Sequence, residues 1–326
     1  MNSCPSAGLR SPRAWRDGWD DRARRCVTAY SYEDMAYRTL VDGATLATHL
    51  GDPLWAVVDC RFMLTDPEWG SREYAARHIP GATYAHLERQ LSGELNGRNG
   101  RHPLPDPGDL TRILGGLGIA PGIQVVAYDQ DNGMFASRLW WLLRWMGHDD
   151  VAVLDGGFAR WVSEHRPTAS GVETRPPRSF TGAPRPGMIA DIDEVARMSE
   201  RRSPGLIDVR APERYRGEIE PIDRVPGHIP GAVNDHFMQN VDERGVFRPP
   251  EALRARLTAV LANVRPDEAV CYCGSGVTAC HSLLALELAD LLGARLYPGS
   301  WSEWSSDPVR GVETSPVRTE AKRPAT

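Results

Sequence analysis

Short apolar runs that close on a polar residue alternate along the chain with longer apolar segments. Apolar side chains at successive positions, rather than at alternate ones, are typical of strands buried on both faces of a parallel sheet. The longer segments end at a glycine, which predicts helices with a glycine stop. The short runs are AVVDCR (56–61), VVAYD (125–129), GLIDVR (205–210) and AVCYC (269–273), and the longer segments are SRLWWLLRWMG (137–147) and ACHSLLALELADLLG (279–293). This alternation predicts an α/β fold with mainly parallel sheets flanked by helices.

The chain repeats itself once, with four landmarks in the same order in each copy. The pairs are AVVDCR and GLIDVR, RHIPGATY (77–84) and GHIPGAVN (227–234), VVAYD and AVCYC, and LDGGFARW (154–161) and YPGSWSEW (297–304). Two tandem domains are therefore predicted. We assign 1–35 to a disordered extension, 36–165 to the first domain, 166–187 to a linker rich in Pro, Gly, Ser and Thr, 188–308 to the second domain and 309–326 to a tail.

Charge and composition exclude several classes of protein. The net charge of −5 provides no basic footprint for nucleic acid. No apolar stretch approaches the roughly 18 residues of a membrane helix, so no membrane partner is expected. The first residues contain no apolar secretory core, so the six cysteines are expected to be reduced thiols of a cytoplasmic protein. Lys322 is the single lysine and lies in the tail, which argues against lysine-bound pyridoxal phosphate.

The candidate chemistry is concentrated in CYCGSGVTAC, at 271–280. Cys273 ends an apolar run, and the glycines at 274 and 276 allow the following backbone amides to turn inward as an anion-binding nest. Thr278 is predicted to cap the next helix. Both features favour a thiolate, and equally the terminal sulfur of a persulfide. We therefore predict that Cys273 is a nucleophile, with Gly274, Gly276, Val277 and Thr278 around the bound substrate.

Two other interpretations of these cysteines remain at this point. Cys273 could be an inert core thiol, as buried cysteines often are. Alternatively Cys271, Cys273, Cys280 and His281 could bind zinc, although their spacing matches no common zinc pattern. A phosphatase is excluded, because the position six residues after Cys273 is Ala279 and not the arginine that a phosphate clamp requires.

The first copy differs at the corresponding place. Asp129 stands where the second copy has Cys273, and the loop DQDNGMF is predicted to contain acidic and amide groups rather than a nest. An aspartate cannot carry sulfur. The first domain is therefore predicted to be catalytically silent.

The two HIPGA motifs, CGSGVTACH, LDGG and GSWSEW together resemble the two-domain rhodanese family of sulfurtransferases, from about residue 36 to residue 308. The resemblance implies a tandem rhodanese-like fold with its chemistry in the second domain. It also implies a substrate-binding role for Arg214, and a proton relay from Ser275, His102 and Glu88 as in the mercaptopyruvate branch. The arginine that this branch has directly after Glu-Pro is replaced here by Ile222.

The expected function is transfer of a sulfane sulfur from 3-mercaptopyruvate, through a Cys273 persulfide, to a thiol, a thioredoxin-like protein or cyanide. No metal or organic cofactor is expected, because the persulfide itself carries the group. Gly274 and Ser275 replace the two cations of the thiosulfate branch, which favours the singly charged donor. The alternatives are a thiosulfate sulfurtransferase of the same fold and a non-catalytic persulfide carrier or binding module.

Overall fold

The computed structural model describes residues 36–315, so the predicted extension and the end of the predicted tail lie outside the described residues. The first half contains β1 (Leu40–Val41), α1 (Gly43–Thr48), β2 (Trp55–Asp59), α2 (Trp69–Ala76), β3 (Thr83–Tyr84), α3 (Pro107–Gly116), β4 (Gln124–Tyr128), α4 (Ala136–Trp145), β5 (Val151–Leu154) and α5 (Gly157–Ser163). The second half contains α6 (Ile192–Glu200), β6 (Leu206–Asp208), α7 (Pro212–Arg216), β7 (Val233–Asn234), α8 (Pro250–Leu261), β8 (Val270–Tyr272), α9 (Thr278–Leu288), β9 (Arg295–Leu296) and α10 (Ser300–Trp304). Short 3₁₀ helices lie at Pro186–Met188, Phe237–Asn240 and Pro266–Glu268. In this part of the chain, none of the helices is long and apolar enough to cross a bilayer.

Each half forms its own parallel sheet. The strand order is β1-β5-β4-β2-β3 in the first sheet and β7-β6-β8-β9 in the second. All strand pairs between these named strands are parallel. A single parallel bridge between Ile189 and Leu296 takes the place that β1 has in the first sheet. The predicted α/β fold of two tandem domains is confirmed.

The predicted strands correspond to β2, β4, β6 and β8, and the predicted helices to α4 and α9. Helix α4 is followed by Gly147, whose φ of 87° lies in the left-handed region, as a glycine stop requires. Helix α9 ends earlier than predicted. Asp290 takes the left-handed conformation, with a φ of 55°, and the amide of Leu291 donates to the carbonyl of Leu286. The predicted glycine stop at Gly293 is therefore wrong, because an aspartate ends this helix.

A further repeat, shorter than the four landmarks, closes each domain. Residues 171–174 and 311–314 have the same sequence, GVET, and we call these segments the GVET straps. In the first, a carboxylate oxygen of Glu173 accepts the amide of Gly81 at 3.1 Å and lies 3.3 Å from Nε2 of His78. The first strap therefore holds the HIPGA turn of the first domain.

The second strap makes the same side-chain contacts in its own domain. Glu313 accepts the amide of Gly231 at 3.1 Å, and its carboxylate lies 3.8 Å from Nε2 of His228. The straps therefore belong structurally to the domains that they close, although sequence composition assigned them to the linker over 166–187 and the tail over 309–326.

One cluster of buried apolar residues is shared by the two domains, in addition to a separate cluster within each. Helices α4 and α9 pack against each other, and a single cluster of buried apolar side chains includes residues of both sheets. At the edge of this interface Arg144 of α4 pairs with Glu287 of α9 at 3.2 Å. The carboxyl ends of β4 and β8, which precede α4 and α9, therefore lie close to the boundary between the domains.

Candidate active site

Cys273 lies directly after β8, at the start of the loop that leads into α9. The loop turns at Gly276, whose φ is +78°, and a Cβ at this position would lie 2.3 Å from the carbonyl oxygen of Pro298. Glycine is required here by both the conformation and the close approach. The amide of Gly276 donates to Sγ of Cys273 at 3.1 Å, and the cysteine is only 2% exposed. The loop thus presents a backbone donor to a buried sulfur.

The landmark YPGSWSEW holds this loop from the other side. The amide of Trp301 donates to the carbonyl of Cys273 at 3.0 Å, and the amide of Ser302 donates to the carbonyl of Gly274 at 2.9 Å. The amide of Cys273 in turn donates to Oγ of Ser300 at 3.1 Å. These bonds hold two carbonyls and one amide of the loop, so its shape is preorganised before any substrate binds.

Thr278 does not have the capping role that the sequence predicts. It is the first residue of α9, the N-cap is Val277, and no side chain caps this end of the helix. The prediction is wrong because the loop enters the helix one residue earlier than assumed. The partial positive charge of the helix N-terminus still lies directly after the cysteine loop, where it favours an anionic sulfur.

The corresponding loop of the first domain is a nest after all. The carboxylate of Asp129 accepts the amides of Asp131, Gly133, Phe135 and Ala136 at 2.7–3.2 Å. Burial raises the pKa of Asp129, and the amides of the loop oppose this rise. The predicted absence of a nest is therefore wrong: the anion site is present, and its own aspartate fills it.

Ser275 and His102 come together across the domain boundary, with Oγ and Nδ1 2.7 Å apart. Both side chains are buried. Nε2 of His102 lies 4.0 Å from a carboxylate oxygen of Glu88, whose side chain is half-exposed. The structure thus brings the three proposed relay residues together, with a close Ser–His contact and a longer His–Glu contact.

The environment of His102 keeps its imidazole neutral. Burial, together with the positive charges of Arg138 and Arg101, lowers the pKa of His102 to about 3. In the tautomer protonated at Nε2, Nδ1 accepts the hydroxyl proton of Ser275 and the N–H faces Glu88; this tautomer is inferred from the neighbouring groups. A neutral His102 can therefore act as a base toward Ser275.

The same shift predicts an acid-sensitive stability. The pKa of His102 falls from 6.5 in the unfolded chain to about 3 in the fold, so below about pH 6.5 the unfolded state binds more protons and stability declines. Between about pH 7 and about pH 5, the lowered pKa of His102 should reduce the free energy of unfolding by about 2 kcal/mol. We expect His102→Gln to reduce the loss of unfolding free energy over this interval by that amount, measured by chemical denaturation. His165→Gln, at an exposed position, is the control. Equal losses in the wild type and His102→Gln would contradict the prediction.

The three arginines of DVRAPERYR have different environments. Arg210 is buried against Asp208, so it is a structural residue, and Arg216 pairs with Glu218 away from the cysteine loop. Arg214 lies beside the loop: a Cβ on Gly274 would be 3.5 Å from its Nη1. Arg214 is thus the arginine of this segment that can contact a donor held at Cys273.

Arg101 is a further cation at the site, and sequence reasoning did not predict it. A Cβ on Gly274 would lie 2.8 Å from its Nη2, and its backbone amide donates to Oγ of Ser302 at 3.1 Å. The loop itself contains no positive charge, but Arg101 and Arg214 supply two from outside it. The sequence placed Arg214 at the site but did not reveal Arg101, because this arginine lies in the other half of the chain. Its position next to His102 in the chain was the available signal.

Arg138 of α4 is a second residue that sequence reasoning did not predict. It is fully buried, and its guanidinium donates to the carbonyls of Leu91, His102, Pro103 and Gly276 at 3.0–3.2 Å. These carbonyls belong to the segments that carry the proposed relay and the cysteine loop. The signal in the sequence was an arginine directly before the apolar run LWWLL, where a buried charge requires a specific partner.

The remaining cysteines near the site are buried thiols. Burial raises the pKa of Cys271, and it raises the pKa of Cys280 to about 12. The ring of His281 is also buried, and its Nε2 lies 3.0 Å from the carbonyl of Asn132. Within residues 36–315, no three His, Cys, Asp or Glu side chains are arranged to hold a metal ion, so nothing in this part of the chain favours the zinc interpretation.

Comparison with known proteins agrees with this geometry. The family model of the rhodanese-like domain matches residues 42–164 and 191–307. The chain belongs to the rhodanese family. The match covers β2 to β5 of the first sheet and β6 to β9 of the second, and it includes Cys273.

Several relatives match this rhodanese chain over nearly their full lengths. A probable 3-mercaptopyruvate sulfurtransferase from Pseudomonas aeruginosa is 47% identical over 86% of this chain and 99% of that protein. A putative thiosulfate sulfurtransferase from Mycobacterium tuberculosis is 36% identical over 84% and 96%. The solved 3-mercaptopyruvate sulfurtransferase of Escherichia coli superposes with a TM-score of 0.71, at 31% identity, over 82% of this chain and 100% of that chain. This rhodanese chain is accordingly a sulfurtransferase.

Proposed function

We propose that Cys273 carries the transferred sulfur and that 3-mercaptopyruvate is the preferred donor. The thiolate attacks the donor sulfur, the carbon–sulfur bond breaks, and an S–S bond forms on Cys273 while the electron pair leaves as the enolate of pyruvate. The enolate then takes a proton, and the persulfide remains on the enzyme. The relative from Pseudomonas aeruginosa, named a probable 3-mercaptopyruvate sulfurtransferase, supports this donor.

The contact between Ser275 and His102, at 2.7 Å, is the observation that carries the choice of donor. An enolate requires a proton and a hydrogen-bond donor for its oxygen. Neutral His102 can first take up the thiol proton of the donor through the Ser275 hydroxyl, and the same hydroxyl can then return that proton to the enolate. Sulfite, the product from thiosulfate, leaves without needing that proton. A buried Ser–His pair beside the nucleophile therefore suits the carbonyl donor.

Thiosulfate is the second candidate donor. Arg101 and Arg214 beside Gly274 offer two cations for sulfonate oxygens, and the relative from Mycobacterium tuberculosis is named a putative thiosulfate sulfurtransferase. The two donors differ in their demand for the Ser–His pair, so a variant of that pair separates them.

We expect Ser275→Ala to lower kcat/KM for 3-mercaptopyruvate by about a hundredfold, the lower range for loss of positioned acid–base catalysis. The change for thiosulfate should stay within about threefold, because its leaving group needs no proton. Steady-state kinetics with both donors, on the wild type and the variant, measure this. Ser305→Ala, at a position outside the cysteine loop, is the control. Equal losses for both donors, or a wild type that prefers thiosulfate, would contradict 3-mercaptopyruvate as the preferred donor.

The second half-reaction passes the sulfur to a thiol, a thioredoxin-like protein or cyanide, with no metal or organic cofactor required by this chemistry. Turnover with any of these acceptors separates an enzyme from a non-catalytic persulfide carrier or binding module.

We place the reaction in the cytoplasm, and the free thiols of Cys60, Cys271, Cys273 and Cys280 support a reducing compartment.

A further inference from the structure

A buried carboxylate already occupies the space between the two arginines of the site. Asp223 pairs with Nη1 of Arg101, and its other oxygen lies 3.1 Å from Nη2 of Arg214. Its side chain is 5% exposed. One carboxylate thus bridges an arginine from each domain directly beside Gly274. A carboxylate donor held at Cys273 would need the same two arginines.

The segment that carries Asp223 is bounded by two glycines in the left-handed region. Gly217 has a φ of 78° and Gly227 a φ of 116°. Between them Ile219 and Ile222 are exposed, although this segment carries the buried Asp223. Glu220 of the same segment is anchored to Arg210 at 3.2 Å, so opening requires only that the part around Asp223 turn away from the two arginines while Glu220 stays in place.

We propose that Asp223 is a latch that occupies the anion site and that the donor's carboxylate displaces it. Asp223 is then a specificity-determining residue, and the closed arrangement is the resting state of the enzyme. Cys273 and Ser275 are both buried in this state, and the two arginines that would hold a donor beside them are occupied by Asp223. This inference rests on the proposed carboxylate donor.

The charges around the latch match a donor with one negative charge. In the closed arrangement Arg101 and Arg214 are balanced by Asp223 and Glu220, which pairs with Arg214 at 2.7 Å. When Asp223 leaves, the remaining three side chains have a net charge of about +1, which one carboxylate neutralises and a dianion exceeds. Burial raises the pKa of Asp223, so the charged carboxylate is destabilised in the closed arrangement. The carboxylate of a donor can therefore take its place.

The test uses pyruvate, a carboxylate without transferable sulfur, as the probe. Pyruvate should protect Cys273 from iodoacetamide, and peptide mass spectrometry gives the concentration that protects half of the protein. If the closed arrangement is about nine-tenths populated, removing the latch lowers this concentration about tenfold. We expect that result for Asp223→Asn and for Asp223→Ser, and an equal fall in KM for 3-mercaptopyruvate with kcat within about twofold. Asp223→Glu keeps the charge and should behave as the wild type.

Glu213→Gln is the matched control, because Glu213 lies next to Arg214 in α7 but its carboxylate faces Arg216 at 3.9 Å. A half-protecting concentration that rises or does not change in Asp223→Asn or Asp223→Ser would overturn the latch, since Asp223 would then only position the arginines. The readout is separate from turnover. If pyruvate protection shifts but 3-mercaptopyruvate gives no sulfur transfer, the proposed donor fails and the latch stands. If 3-mercaptopyruvate is turned over without the shift in protection, the donor stands and the latch fails.

Discussion

Cys273→Ser is expected to lower sulfur transfer by at least about ten-thousand-fold with every donor, as the loss of a catalytic nucleophile does. A serine hydroxyl in the same loop is not ionised near neutral pH and cannot form a persulfide. Steady-state assays with 3-mercaptopyruvate and thiosulfate measure the loss. Mass spectrometry of the wild type after treatment with donor should show one added sulfur on the peptide that contains Cys273, and fragmentation should place it on that residue.

Cys271→Ala is the matched control for the nucleophile. Cys271 lies two residues away in β8 and is equally buried, but the loop amide of Gly276 donates to Sγ of Cys273 and not to that of Cys271. We expect it to keep most of the activity with some loss of stability from the small cavity. An added sulfur on Cys271, or full activity in Cys273→Ser, would remove Cys273 from the reaction.

Arg138→Met is expected to lower kcat/KM by about a hundredfold, or about 2.8 kcal/mol. Its guanidinium joins the carbonyls of Leu91, His102 and Gly276, so its loss releases the proposed relay and the cysteine loop together. The variant also leaves buried carbonyls without donors, and each of them should lower the free energy of unfolding by about 1–3 kcal/mol. Arg138→Lys should recover part of the rate, because an ammonium supplies the charge but reaches fewer of these carbonyls. Single-turnover formation of the persulfide measures the effect on the first half-reaction.

Arg144→Met separates catalysis from stability. Arg144 lies on the same helix and crosses the same domain boundary, where it pairs with Glu287, but it does not contact the loop. We expect this variant to lose stability and to keep kcat/KM within about threefold. If Arg144→Met and Arg138→Met lose activity in proportion to their stability, Arg138 is a structural residue and has no specific effect on the site.

The pattern of neighbouring residues was sufficient to predict the strands and turns that depend on local sequence. The buried runs at 125–129 and 269–273 became β4 and β8, because an apolar run in an alternating α/β chain has few alternatives to a central parallel strand. Gly276 could be read in the same way, since a left-handed turn after a strand selects glycine. The errors at Thr278 and Gly293 concern single residues at helix ends, where several neighbours compete for the same role.

The sequence by itself determined the tandem α/β fold, the cysteine at the end of β8 and the inability of Asp129 to carry sulfur, because each follows from residue type and local spacing. Only the tertiary structure decided which charges surround that cysteine. Arg101 and Arg138 come from the other domain, and Asp223 pairs with Arg101 from a loop of the second domain. Electrostatic interactions act through space, so residues far apart in the chain become partners only when the two domains pack along α4 and α9.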